Sequence, residues 1–132
     1  MDKNLTHRDR STDLGAVRIN NNAIMSIASI AAMEIRGVYK IGGGIRRTLY
    51  DLFKKVGTKG VSIQMKDSEV KLTISIVVEY GIDIPRLADE VQESVKRAVE
   101  KMAGLALSEV DVIIEAVHLP GSPEKKNKEG VI

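Results

Sequence analysis

A chain of 132 residues with 20 Lys and Arg, 18 Asp and Glu and no cysteine is of single-domain size and can bury about two thirds of its unfolded surface without a covalent staple. Lacking cysteine, it has no disulfides, thiolate metal sites, iron–sulfur clusters or thiol nucleophiles, which fits a reducing compartment. The start is polar and no apolar run approaches the ~20 residues needed to cross a bilayer, so a cytoplasmic protein is expected.

Residues 1–13 lack periodicity and carry balanced opposite charges, which predicts a disordered tail before a domain spanning 14–119. Gly15–Ile19 reads as a short strand, and Asn20, Asn21 and Asn22 offer turn and N-cap chemistry to the helix that follows. That helix places Ile24, Ile27, Ala28, Ala31 and Ile35 on one face, broadened by Met25, Ile30 and Ala32. With only Glu34 and Arg36 charged, near its end, it is expected to be largely covered. Gly37 stops it, and Val38–Ile41 is a candidate strand.

Gly42, Gly43 and Gly44 interrupt the chain before a short basic amphipathic helix. Ile45, Leu49, Leu52, Phe53 and Val56 form its apolar face, with Arg46, Arg47, Asp51, Lys54 and Lys55 opposite. Residues 57–60 lead into a strand through Val61, Ile63 and Met65, which turns at Asp67-Ser68 into a longer strand, predicting an antiparallel hairpin. In the longer strand Val70, Leu72, Ile74, Ile76 and Val78 alternate with a mostly polar set, the mark of a half-buried strand. A Tyr80-Gly81 turn then precedes Ile84-Pro85 and a long helix. Leu87, Val91, Val95 and Val99 line one side of this helix, and Gly104 ends it before the last strand. Two prolines, two glycines and clustered charge predict a tail over 120–132.

A strand, an apolar helix and a Gly stop followed by an aliphatic residue occur at 15–41 and again at 70–117. The repetition suggests two β-α-β halves sharing one sheet. The predicted fold class is therefore α/β of the α+β kind: a single two-layer domain in which a mixed β-sheet carries two long helices on one face and a short basic amphipathic helix.

Charge is uneven along the chain. Residues 14–60 hold eight Lys or Arg against two acids, and residues 61–132 hold nine against thirteen. Complementary halves of this kind can steer head-to-tail association. Within the basic half, Arg46, Arg47, Lys54, Lys55 and Lys59 are candidate contacts for a partner or an anion. Neither His7 nor His118 has companions at metal-ligand spacing, and no serine sits in a nucleophile elbow, so no catalytic residue, metal or cofactor is expected. Gly42–Gly44 before a helix could meet phosphate, but the lysine and hydroxyl ending of a nucleotide-binding loop is missing. Gly57-Thr58-Lys59-Gly60 has the letters of a nucleic-acid gripping loop, yet it joins a helix to a strand and lacks aromatic platforms. A basic helix lying on anionic lipid is a further alternative.

Val77-Val78-Glu79-Tyr80-Gly81, Ile84-Pro85, Val91-Gln92-Glu93, Val95-Lys96, Ala98-Val99-Glu100, Met102, Gly104-Leu105 and Glu109-Val110 together resemble the alkaline shock protein family, the Gls-type bacterial envelope stress response proteins. Upstream, Gly15–Ile19, Ile27-Ala28, Ala31-Ala32, Glu34, Gly37-Val38 and Lys59-Gly60-Val61 extend the resemblance, which covers about residues 14–118. Ala103 stands where the family commonly has threonine, and the Gly42–Gly44 stretch and the C-terminal tail do not follow the family pattern. The resemblance implies a cytoplasmic bacterial protein of cell envelope homeostasis without known catalysis. Some members self-assemble, and some reach the inner face of the membrane through a membrane-anchored partner carrying a related domain. The expected function is thus a non-enzymatic scaffold or adaptor that self-associates and docks on such a partner. The alternative is a nucleic-acid or anionic-lipid binding module using the basic patch 40–59.

Overall fold

The computed structural model describes residues 9–42 and 60–121. They form β1 (Asp9–Thr12), β2 (Gly15–Arg18), α1 (Asn21–Met33), β3 (Val38–Ile41), β4 (Val61–Lys66), β5 (Glu69–Glu79), α2 (Ile84–Ala103) and β6 (Glu109–His118). The short basic helix expected at 45–56 and most of the tail expected over 120–132 lie outside the described residues.

β5 is the axis of the main sheet. β6 runs parallel along one side of it, from Lys71↔Glu109 to Glu79↔His118. β3 and β4 lie end to end along the other side, both antiparallel. The predicted hairpin between β4 and β5 is present. Its turn residues Asp67 and Ser68 have φ of 46° and 73°, the left-handed pair that matches the twist of two-residue hairpins. A parallel neighbour requires a crossover, and α2 supplies it between β5 and β6.

The expected symmetry of two β-α-β halves does not hold. Only β5-α2-β6 takes that form, whereas β2 leaves the main sheet and pairs with β1, Asp9 opposite Arg18 and Thr12 opposite Gly15. Residues 9–12 accordingly form a strand where a tail was expected. Every residue of β2 is exposed, so this strand gains little from a core. The segment just before it is reached through a two-residue turn, at small loop-closure cost.

α1 and α2 lie antiparallel on one face of the main sheet. Ala31 accepts a 3.3 Å hydrogen bond from Ser94 Oγ. Further along, a Cβ at Gly37 would meet Leu87. Between helices and sheet sit Ile24, Ala28, Leu72, Ile74, Ile76, Val78, Val91, Val95 and Val99, the interior expected from the two periodicities. Asn20 caps α1, its side chain accepting from Asn22 N at 2.8 Å, and Asp83 caps α2 by accepting from Arg86 N at 3.3 Å. Gly104, at φ 69°, donates its N–H to Glu100 O at 3.0 Å and closes α2.

Past that stop, Glu100 Oε2 accepts from Lys96 Nζ at 2.7 Å and from Leu107 N at 2.9 Å, tying the helix end to the chain entering β6. The Lys96 hydrogen bond, then the Leu107 N–H, hold the Glu100 carboxyl below its ordinary value. A carboxyl depressed on folding contributes stability above its unfolded pKa and loses it as pH falls through the folded one. Glu100→Gln is therefore expected to lower Tm modestly at pH 7, with the gap from wild type closing under acid. Thermal melts at pH 7 and below pH 4 check this, and a gap independent of pH would count against it.

Candidate interaction surface

The five sequence-predicted contacts, Arg46, Arg47, Lys54, Lys55 and Lys59, lie outside the described residues. The places where that stretch leaves and rejoins the sheet are defined. Gly42 N donates to Ser75 O at 2.7 Å, and Ser75 N donates to Gly60 O, also at 2.7 Å. One residue of β5 thus holds both ends, with half-buried Lys40 close by, at the register position of Val77.

The sheet face away from the helices is mostly polar, as an antiparallel edge region facing water allows. On it Lys71 sits between two acids of β6, 3.2 Å from Glu109 and 3.8 Å from Asp111. The Glu109 hydrogen bond and charge, then Asp111, raise the lysine's pKa. All three groups are well exposed, so the triad sets cross-strand register more than stability.

Further along, the rings of Tyr39 and His118 stack, centroids 3.8 Å apart and planes 4° from parallel. His118 Nδ1 lies 3.4 Å from Glu79 Oε1. Val77, between β3 and β6 and outside the main core cluster, is only 7% exposed. This small aromatic lid was not foreseen. Its rings come from two outer strands, each with a register shift next to Val77, and sequence spacing gives no sign of such bulges. Among the described residues no three His, Cys, Asp or Glu gather as a metal site, and no helix is long and apolar enough to cross a membrane.

The helix layer presents a different surface. The sequence predicts that α1 is largely covered, yet Ala23, Ser26, Ile30 and Met33 are exposed, Ile30 at 62% and Met33 at 45%. Their spacing of three, four and three residues makes one stripe. No charged residue interrupts α1 anywhere from Asn21 to Met33. On α2 the corresponding exposed stripe is Arg86, Glu90, Glu93, Arg97 and Lys101, with Arg86 Nε 3.9 Å from Glu90 Oε2.

Two helices on one face of a mixed sheet make this a two-layer α+β domain. The chain belongs to the alkaline shock protein 23 family, described as having a cell envelope-related function, whose match covers residues 9–119. The family expected from the residue pattern is the family found. YqhY of Bacillus subtilis is 32% identical over 114 residues, covering 86% of this chain and 83% of its own. YloU of the same organism is 27% identical over 111 residues, covering 82% and 92%. A Streptococcus pyogenes protein named stress response regulator gls24 homolog is 27% identical over 114 residues, covering 83% of this chain and 63% of that protein. Among solved structures, a MamM CTD variant superposes with a TM-score of 0.46 at 18% identity, covering 74% of this chain and 98% of that one.

Proposed function

We propose that the protein is a non-enzymatic scaffold or adaptor of the bacterial envelope stress response. It self-associates and docks on a membrane-anchored protein carrying a related domain, and so works at the inner face of the cell membrane. The family's cell envelope-related function supports the setting. The observation that carries the docking mode is the exposed, uncharged outer stripe of α1, with Ile30 at 62%. Surface helices normally turn charge toward water, and α2 does so from Arg86 to Lys101, with Met102 exposed at its end. An apolar helical stripe that the described residues leave open is the kind of surface a protein partner covers.

Crosslinked, nuclease-treated affinity capture from the native cell tests the reading. Recovery of an integral membrane protein with a related domain is expected. Recovery of nucleic-acid-binding proteins without a membrane partner would move the function to the basic patch 40–59. A companion variant reverses Arg46, Arg47, Lys54 and Lys55 to Glu. It is expected to keep the far-ultraviolet spectrum and Tm of the wild type and to lose capture of the membrane partner, because charge across an interface sets partner choice and association rate. Undiminished capture would remove these residues from the docking surface.

A further inference from the structure

We infer that a second copy of this chain covers the outer stripe of α1, helix layer on helix layer, with the two α1 helices antiparallel across a two-fold axis. The inference rests on the self-association reading above and gives it a surface and an orientation. An isologous pairing brings each patch against itself in reverse. For α1 that sets an uncharged stripe on an uncharged stripe, with no desolvated charge on either side.

The same operation acts on α2. Its exposed row runs Arg86, Glu90, Glu93, Arg97, Lys101. Reversal sets Glu93 against the second copy's Arg97 and Glu90, which its own Arg86 meets at 3.9 Å, against the second copy's Lys101, and leaves Arg86 beyond the end of the second copy's α2. Both pairs form twice in the dimer. A head-to-tail or parallel arrangement would instead lay α1's uncharged stripe on α2's charged row, or like charge on like.

The two helices agree on where the axis falls. The Glu93–Arg97 and Glu90–Lys101 pairings are centred between Ser94 and Lys96. Ser94 is level with Ala31, to which it donates a 3.3 Å hydrogen bond, and the helices run in opposite senses. The axis therefore passes beside Ile30, the most exposed apolar side chain of α1, and places Ser26 opposite the second copy's Met33. Size fits a small interface. With α2 about 30 Å long and α1 about 20 Å, the layer has a footprint of roughly 500 Å² per partner, close to the ~1,000 Å² total that marks the lower end of specific interfaces.

Sedimentation equilibrium of the full chain reads the result. The wild type is expected to be a dimer, and Ile30→Lys, which places two like charges at the axis, is expected to raise the dimer Kd by at least about a hundredfold, with equal Tm for the two proteins at concentrations below the wild-type Kd. Glu90→Lys with Glu93→Lys is expected to weaken the dimer by about tenfold or more, and adding Arg97→Glu with Lys101→Glu to restore it. Restoration separates interface charge from damage to the fold. A wild-type oligomer indifferent to Ile30→Lys would overturn this surface and leave self-association standing. Failure of the fourfold variant to recover would overturn the antiparallel pairing. A wild type that stays monomeric would remove self-association itself, and a lowered Tm for Ile30→Lys in that monomer would mean the stripe is covered within one chain.

Discussion

Val95→Asp is expected to abolish the cooperative thermal transition of the domain at neutral pH. Val95 is wholly buried in the middle of α2, within the cluster shared by both helices and the sheet. Among the described residues that cluster contains no buried polar or charged side chain, so the new carboxylate meets no cation and no donor. An unpaired buried charge costs several kcal/mol even after relaxation, a large part of the roughly 5–15 kcal/mol by which a domain of this size is stable. Raising the carboxyl's pKa lessens the charge but not the loss of packing. Asp89→Glu, six residues earlier, exposed and outside the paired row, serves as the comparison and is expected to melt within a few degrees of wild type. Circular dichroism melts of both variants give the answer. A cooperative Val95→Asp transition near the wild-type Tm would mean that α2 does not bury this face.

Gly60→Ala is expected to cost about 2–4 kcal/mol, more than the same change at Gly81. Both glycines have positive φ, +82° and +94°, so both substitutions carry backbone strain of roughly 1–2 kcal/mol. They differ in their surroundings. A Cβ at Gly81 meets nothing within 4 Å, whereas one at Gly60 would stand 2.6 Å from both Cα and N of Gly42 and 3.0 Å from Ile41 Cγ2. Gly42 N is engaged at 2.7 Å with Ser75 O, so its backbone can retreat only by stretching that hydrogen bond. Urea denaturation of the two variants isolates the steric part. Equal midpoints would mean that the chain ends at Gly42 and Gly60 do not approach so closely.

Long periodic segments were legible because many residues repeat the same message. Five alternating aliphatics fix which face of β5 is inside, and twenty residues of α2 fix its buried stripe. The Gly104 stop and the Asp67-Ser68 turn were readable for a local reason, since a few residues decide them. β1 and β2 gave no such repetition: four residues each, and in β2 every position faces solvent. The apparent repeat of strand, helix and Gly then suggested a place for β2 in the main sheet that its apolar content does not support. The surface of α1 shows a different limit. Its lack of charge is visible in the sequence, but a helix apolar nearly all round does not reveal which side its own domain covers. That follows from where α2 and the sheet lie, and it left Ser26, Ile30 and Met33 outside. The Tyr39–His118 stack depends on two bulged strands meeting over β5, a tertiary coincidence with no local signature.

Ser75 bonds the chain on both sides of residues 43–59, one end through its carbonyl and the other through its N–H. Whatever sequence joins Gly42 to Gly60, it departs from and returns to one point on an otherwise continuous strand edge. Closing a longer or shorter excursion between adjacent points changes the entropy only slowly with length, and β3 and β4 each pair with their own stretch of β5. A change of length there is therefore expected to leave the hydrogen bonds of Gly42 and Gly60 to Ser75 in place. Ser75 thus acts as a single clasp that sets where this stretch begins and ends on the sheet.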